Sequence, residues 1–226
     1  MTNTLHRYGD PESLKDDYIV FIMASKGRND LGAAEKIRTF FNTAIKFEPV
    51  NMGETDIGTL YQPEKDLNFF KLYLRGRREK RTPQELINKL ENPDNADLVF
   101  DNKEALQGFL KEVQELDLGL SVNVSALVDD VREVCSQNGR PLHSVEYSLG
   151  FHGALDRLPD RNVLKLCTMC GHGMVSAGLT SKMIARVKED RVTPEKAAGY
   201  MAKFCVCGIF NTTRAIRILN EIRTSN

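Results

Sequence analysis

Seven consecutive apolar residues, Tyr18 to Ala24 (YIVFIMA), are bounded by charge on one side and by SKGRND on the other. A run of that length, β-branched and aromatic, is too short to span a bilayer and predicts a strand buried on both faces. Leu31, Ala34, Ile37, Phe41 and Ile45 then recur at helical spacing, so the chain opens as strand, polar loop and helix, the start of an α/β layer. Residues 46–66 are rich in Gly, Pro, Asn and acids and predict loop or edge structure. Thr82, Pro83 and Glu85 supply an N-cap, an N1 proline and a capping-box partner for a helix from Pro83 to about Leu90.

A second unit follows. Leu106, Phe109, Leu110, Val113 and Leu116 form one helical face, residues 118–125 (LGLSVNVS) read as a strand, and Leu127, Val128, Val131, Val134 and Cys135 form the next face, closed by Gly139. Residues 143–149 (HSVEYSL) alternate enough for a further strand, and Val163 to Leu166 for a short one. Three helices are expected beyond Val175: 175–187, 194–204 capped by Thr193, and 212–222 capped by Asn211. The expected fold is therefore α/β (α+β), a mixed sheet with helical cover over 1–160 and a helical Cys-rich module over 161–226, packed as one unit.

The charge balance of 31 basic and 31 acidic side chains gives no global field to recruit nucleic acid or an anionic membrane. With no apolar leader and no transmembrane run, a cytoplasmic protein is expected. The average hides a gradient, because residues 161–226 hold 11 Lys or Arg against 4 Asp or Glu. All five cysteines lie between 135 and 207, and three of the four histidines share that stretch. Chemistry is expected in this third of the chain.

Cys167 and Cys170 form a CxxC, and Cys205 and Cys207 a CxC; each pair is followed by glycine. In a chain without a secretion signal such pairs point to metal, cluster or redox chemistry rather than structural disulfides. A tetrahedral zinc with bonds of about 2.3 Å brings its sulfurs to about 3.8 Å, whereas alternate residues of an extended strand lie about 6.6 Å apart. An extended CxC thus favours an iron–sulfur cluster, 4Fe-4S first, on Cys167, Cys170, Cys205 and Cys207, with zinc as the alternative. If only three thiolates ligate, the open iron can polarise a substrate, a logic similar to that of hydro-lyases and desulfidases. An oxygen-sensitive enzyme for elimination, hydration, isomerisation or sulfur transfer on a small anionic molecule follows as the expectation.

In that reading His172 and His152 move protons, while Arg214, Asn211 and the amides at Gly171 and Gly173 bind the anion. Two other functions compete. Cys170 at a helix N-terminus would be a metal-free acid/base or dithiol centre. Met169 to Gly173 (MCGHG) resembles the cysteine acid/base loop of the proline racemase family, which implies α-proton exchange by the thiol; the likeness covers five residues. The strand–CxxC–helix placement is similar to a thioredoxin-type dithiol, though no WCxxC is present. The third function is a zinc-stabilised, non-enzymatic interaction module. His143 and Cys135 are read as structural. The SKGRND loop is a weak phosphate site, the basic block Arg75 to Arg81 a solvated loop, and Phe69 to Leu74 core or the contact of a homo-oligomer.

Overall fold

The computed structural model describes residues 5–62 and 80–225. Five strands form one sheet: β1 (Tyr18–Met23), β2 (Asn51–Glu54), β3 (Gly58–Thr59), β4 (Asn95–Phe100) and β5 (Ser121–Ser125), in the order β3-β2-β4-β1-β5. Every pairing is antiparallel. Because β1 and β2 both pair with β4, they run parallel to each other with β4 inserted between them; β4 and β5 likewise flank β1. The topology is that of two interlocked split β-α-β units. Their connecting helices are α2 (Ala33–Ala44) and α4 (Lys103–Leu116). The shorter α1 (Pro11–Leu14), α3 (Pro83–Ile87) and α5 (Val128–Gln137) complete this part, and the capping box at Thr82 and Glu85 is formed.

Strand alternation divides the sheet into two faces. Tyr18, Val20 and Ile22 of β1, Met52 of β2, and Ala96, Leu98 and Phe100 of β4 meet Ile37, Phe40, Phe41, Leu106 and Phe109 from α2 and α4. Ile19, Phe21 and Val99 point the other way, into the C-terminal helices α6 (Arg161–Cys167), α7 (Ala177–Lys188), α8 (Pro194–Ala202) and α9 (Thr212–Thr224). Ala197, Ala198 and Ala202 of α8 keep its buried side slim against α9, where Ala215, Ile218 and Leu219 face it. The result is an α/β fold with helical cover on both sheet faces and a helical Cys-rich final third.

Two local expectations fail and one strand goes unanticipated, each for a physical reason. Residues 143–149 are exposed and unpaired: alternation alone makes no strand without a partner ladder. Residues 163–166 lie inside α6, because Asp160 caps the helix by accepting from the Asn162 amide at 2.8 Å. The central strand β4 (NADLVF) was not foreseen, since a charged residue, Asp97, interrupts its apolar run.

The N-terminal segment crosses the C-terminal helices. The Arg214 guanidinium is buried on α9 and donates to Asp17 Oδ2 (2.8 Å), to the Ser13 carbonyl (2.6 Å), to Ser13 Oγ (3.1 Å) and to the Tyr8 carbonyl (3.2 Å). Arg7 reaches the same Asp17 oxygen at 2.6 Å. Burial pulls the Arg214 pKa down and Asp17 opposes that pull. Among the described residues no helix is long and apolar enough to cross a membrane.

Candidate functional site

The loop after α6 and the loop between α8 and α9 meet over the sheet. Cys170, Cys205 and Cys207 are fully buried. Cys205 Sγ lies 3.4 Å from Cys207 Sγ, and Cys207 Sγ lies 3.4 Å from His172 Nδ1. Cys170 is hydrogen-bonded to Cys205. The four side chains thus form a chain, Cys170, Cys205, Cys207 and His172, with the imidazole half-buried at its outer end. The two cysteines of the CxC stand far closer than an extended segment allows, because residues 203–208 turn rather than extend.

Gly208 makes this turn possible. Its φ is +80°, and a Cβ there would stand 2.3 Å from the Gly53 nitrogen and 2.4 Å from the Met52 carbonyl carbon. The CxC loop is therefore pressed onto the β2 backbone at a spot where neither Gly53 nor Gly208 can carry a side chain. Gly171 is similarly constrained: a Cβ would meet Leu5 at 2.7 Å, and the His6 amide donates to the Gly171 carbonyl at 3.0 Å.

The electrostatics of the thiols follow from burial and from who donates to them. Hydrogen bonding to Cys205, with burial behind it, pushes the Cys170 thiol well above its ordinary pKa, while the backbone amides of His172 and Met174 pull it down. Burial pushes Cys205 up to about 12, against a hydrogen bond from the Ile209 amide. Both shifts favour the protonated thiol, which is a weaker nucleophile than the thiolate. The backbone amides aimed at sulfur act the other way and favour the thiolate.

Cys167 takes another direction. It ends α6 among Val163 and Leu164, with its Sγ 3.9 Å from the Leu164 carbonyl, apart from the cluster that contains the other three. Helix α7 starts only at Ala177 under a Ser176 cap, so Cys170 and His172 sit in the preceding loop rather than on a helix N-terminus. Gly171 and Gly173 are in that loop at positive φ. His152 is exposed, its Nε2 2.8 Å from the Leu149 carbonyl. Asn211 caps α9 by accepting from the Arg214 amide (2.9 Å) and donates to Asp17 Oδ1 (3.1 Å). Arg214 is occupied by Asp17 and the N-terminal segment.

Asp97 escaped sequence analysis. It is buried on β4, facing the cysteine side, in a row with Gly53 of β2, Phe21 of β1 and Asn123 of β5. Its Oδ2 has no hydrogen-bond partner, and neither has Asn123 Nδ2. Burial pushes its carboxyl pKa up to about 7, and the neighbouring charge of His172 works against that rise. The one signal for it in the sequence is an acid at an inward position of an otherwise apolar strand.

The remaining candidates lie elsewhere. In the SKGRND loop Asn29 Oδ1 accepts from the Ser25 amide (2.6 Å) and Nδ2 donates to the Gly119 carbonyl (2.9 Å), so the loop is tied to itself and to the segment before β5. Residues 75–79 of the basic block and all of Phe69 to Leu74 fall outside the described residues. Lys80 donates to the Val50 carbonyl, and Arg81 to that of Ile57. Among the described residues no three His, Cys, Asp or Glu side chains already stand as a group that could hold a metal ion; the contacts in the cysteine chain are pairwise. No protein-family model, no curated protein and no solved structure matches this chain.

Proposed function

We propose that Cys170, Cys205, Cys207 and His172 ligate a single metal ion, zinc first, that fastens the C-terminal helices to the sheet. The observation that carries this reading is the convergence, from two loops 35 residues apart, of Cys205, Cys207 and His172 at successive 3.4 Å spacings with the buried Cys170 beside Cys205. Those spacings lie near the separation of about 3.8 Å between sulfurs sharing a tetrahedral ion. The ion would replace the thiol protons that now join the chain, drawing the pairwise contacts into one shell. The amides of His172, Met174 and Ile209 would then hold thiolates. Four protein ligands close the coordination shell, which is the pattern of a structural rather than a catalytic zinc.

A second reading keeps the iron–sulfur enzyme. Three buried thiolates with Cys167 turned away is the ligand count of a cluster with one open iron, and the half-buried His172 would stand at that corner to carry protons for elimination or sulfur transfer on a small anion.

Metal, iron and sulfide analysis of the full chain purified without oxygen separates the two. One zinc per chain in a colourless protein, lost in Cys205→Ser and kept in Cys167→Ser, is the expected result. About four irons and four sulfides with a broad band near 400 nm would favour the cluster. Absence of bound metal, and no uptake of zinc or cobalt, would sink both.

A further inference from the structure

We infer that Asp97 is the positioning residue of this metal centre, accepting a hydrogen bond from His172 Nε2–H so that Nδ1 is presented to the ion. The inference rests on the metal reading above and adds to it a role for a residue outside the ligand set. His172 directs Nδ1 toward Cys207 at 3.4 Å, which leaves Nε2 as the nitrogen that carries the proton in the ligating tautomer. Metal-bound imidazoles commonly give that second N–H to a carboxylate, which fixes both tautomer and ring orientation.

Asp97 is placed to be that carboxylate. Gly53, directly opposite it on β2, is the residue on which Gly208 of the CxCG loop rests, with the Gly208 Cα 3.1 Å from where a Gly53 Cβ would stand. Asp97 therefore lies one strand spacing, about 4.8 Å, from the residue on which the ligand loop rests, on the same face of the sheet. Its Oδ2 is buried without a hydrogen-bond partner. A buried acid with an unspent oxygen costs stability unless some state of the protein uses it, and a metal-loaded His172 supplies that use.

Competition between the full-length protein and a chromophoric chelator for zinc, done on wild type, Asp97→Ala and Asp97→Asn, tests this, together with the thermal midpoint of each metal-free form and the His172 Nε2–H signal by NMR in the zinc form. We expect zinc affinity to fall by about 10- to 100-fold in Asp97→Ala and by less in Asp97→Asn, which keeps an acceptor. The metal-free midpoint should hold or rise, and the slowly exchanging Nε2–H should be lost in Asp97→Ala. Opposite movement of affinity and metal-free stability is something a packing role would not produce. Wild-type affinity in Asp97→Ala would overturn the inference and leave the metal centre standing. A wild type that binds neither zinc nor cobalt would remove the centre itself, and the inference with it.

Discussion

The two faces of the sheet solve different problems. On the α2 and α4 side every inward strand residue of β1 and β4 is apolar, and Phe109 packs against Phe40, Phe100 and Phe47 with ring centroids 5.0, 5.2 and 6.1 Å away. On the C-terminal side the strands present Asn51, Gly53, Asp97 and Asn123 beside their apolar residues, and the buried volume above them holds three thiols. The first face supplies cohesion. The second accepts buried polar groups that weaken the metal-free fold, and carries the candidate chemistry. A protein can keep such a face only when the opposite one is well packed.

Perturbing each face should therefore give different signatures. Phe109→Ala should cost about 3–5 kcal/mol in urea unfolding, by the same amount at every pH and metal content; a loss that depended on either would merge the two faces into one energetic unit. Asp97→Asn should do the reverse. The folded carboxyl titrates near 7 against about 3.9 in the unfolded chain, so the wild-type metal-free protein loses stability as pH rises from about 4 through 7. The substitution should flatten that slope and gain up to about 4 kcal/mol at pH 8, with the gain closing toward pH 4. Parallel wild-type and variant curves from pH 4 to 8 would refute it. The smallest effect is expected of Ser176→Ala, which removes the cap on the Leu179 amide (3.2 Å) at the edge of the cysteine face: about 1 kcal/mol, with bound metal unchanged.

How far the sequence revealed this arrangement depends on whether a feature is local. Strand β1, helices α2 and α4, the Thr82 capping box and the caps at Thr193 and Asn211 are short-range patterns, and they form where the spacing places them. The convergence of Cys170 with Cys205 and Cys207 was legible from the two glycine-terminated pairs. The burial of Cys167 in a separate cluster was not, because it follows from α6 being a helix where a strand was expected. The tight bite of the CxC depends on Gly208 lying against Gly53, a contact 155 positions away in the chain that no local pattern encodes. Asp97 and Arg214 teach the same lesson from opposite sides. Each is an ionisable residue whose burial is set at long range, Asp97 by the insertion of β4 between β1 and β2 and Arg214 by its pairing with Asp17.

The N-terminal strap has a consequence for the order in which this chain is made. Tyr8 and Asp17 wait for Thr168 and Arg214, partners that lie 160 and 197 positions later. Synthesis at about 5–20 residues per second separates those partners by roughly 10–40 s. During that interval the ribosome presents a nascent sheet with its apolar side closed by α2 and α4 and its other side bare. Cys167 and Cys170 emerge while Cys205 and Cys207 have yet to be added. Closure of long loops comes late in folding, so the thiols are sealed in only after translation has passed Arg214. A metal that enters this protein would therefore arrive at the last moment of folding and act as its latch.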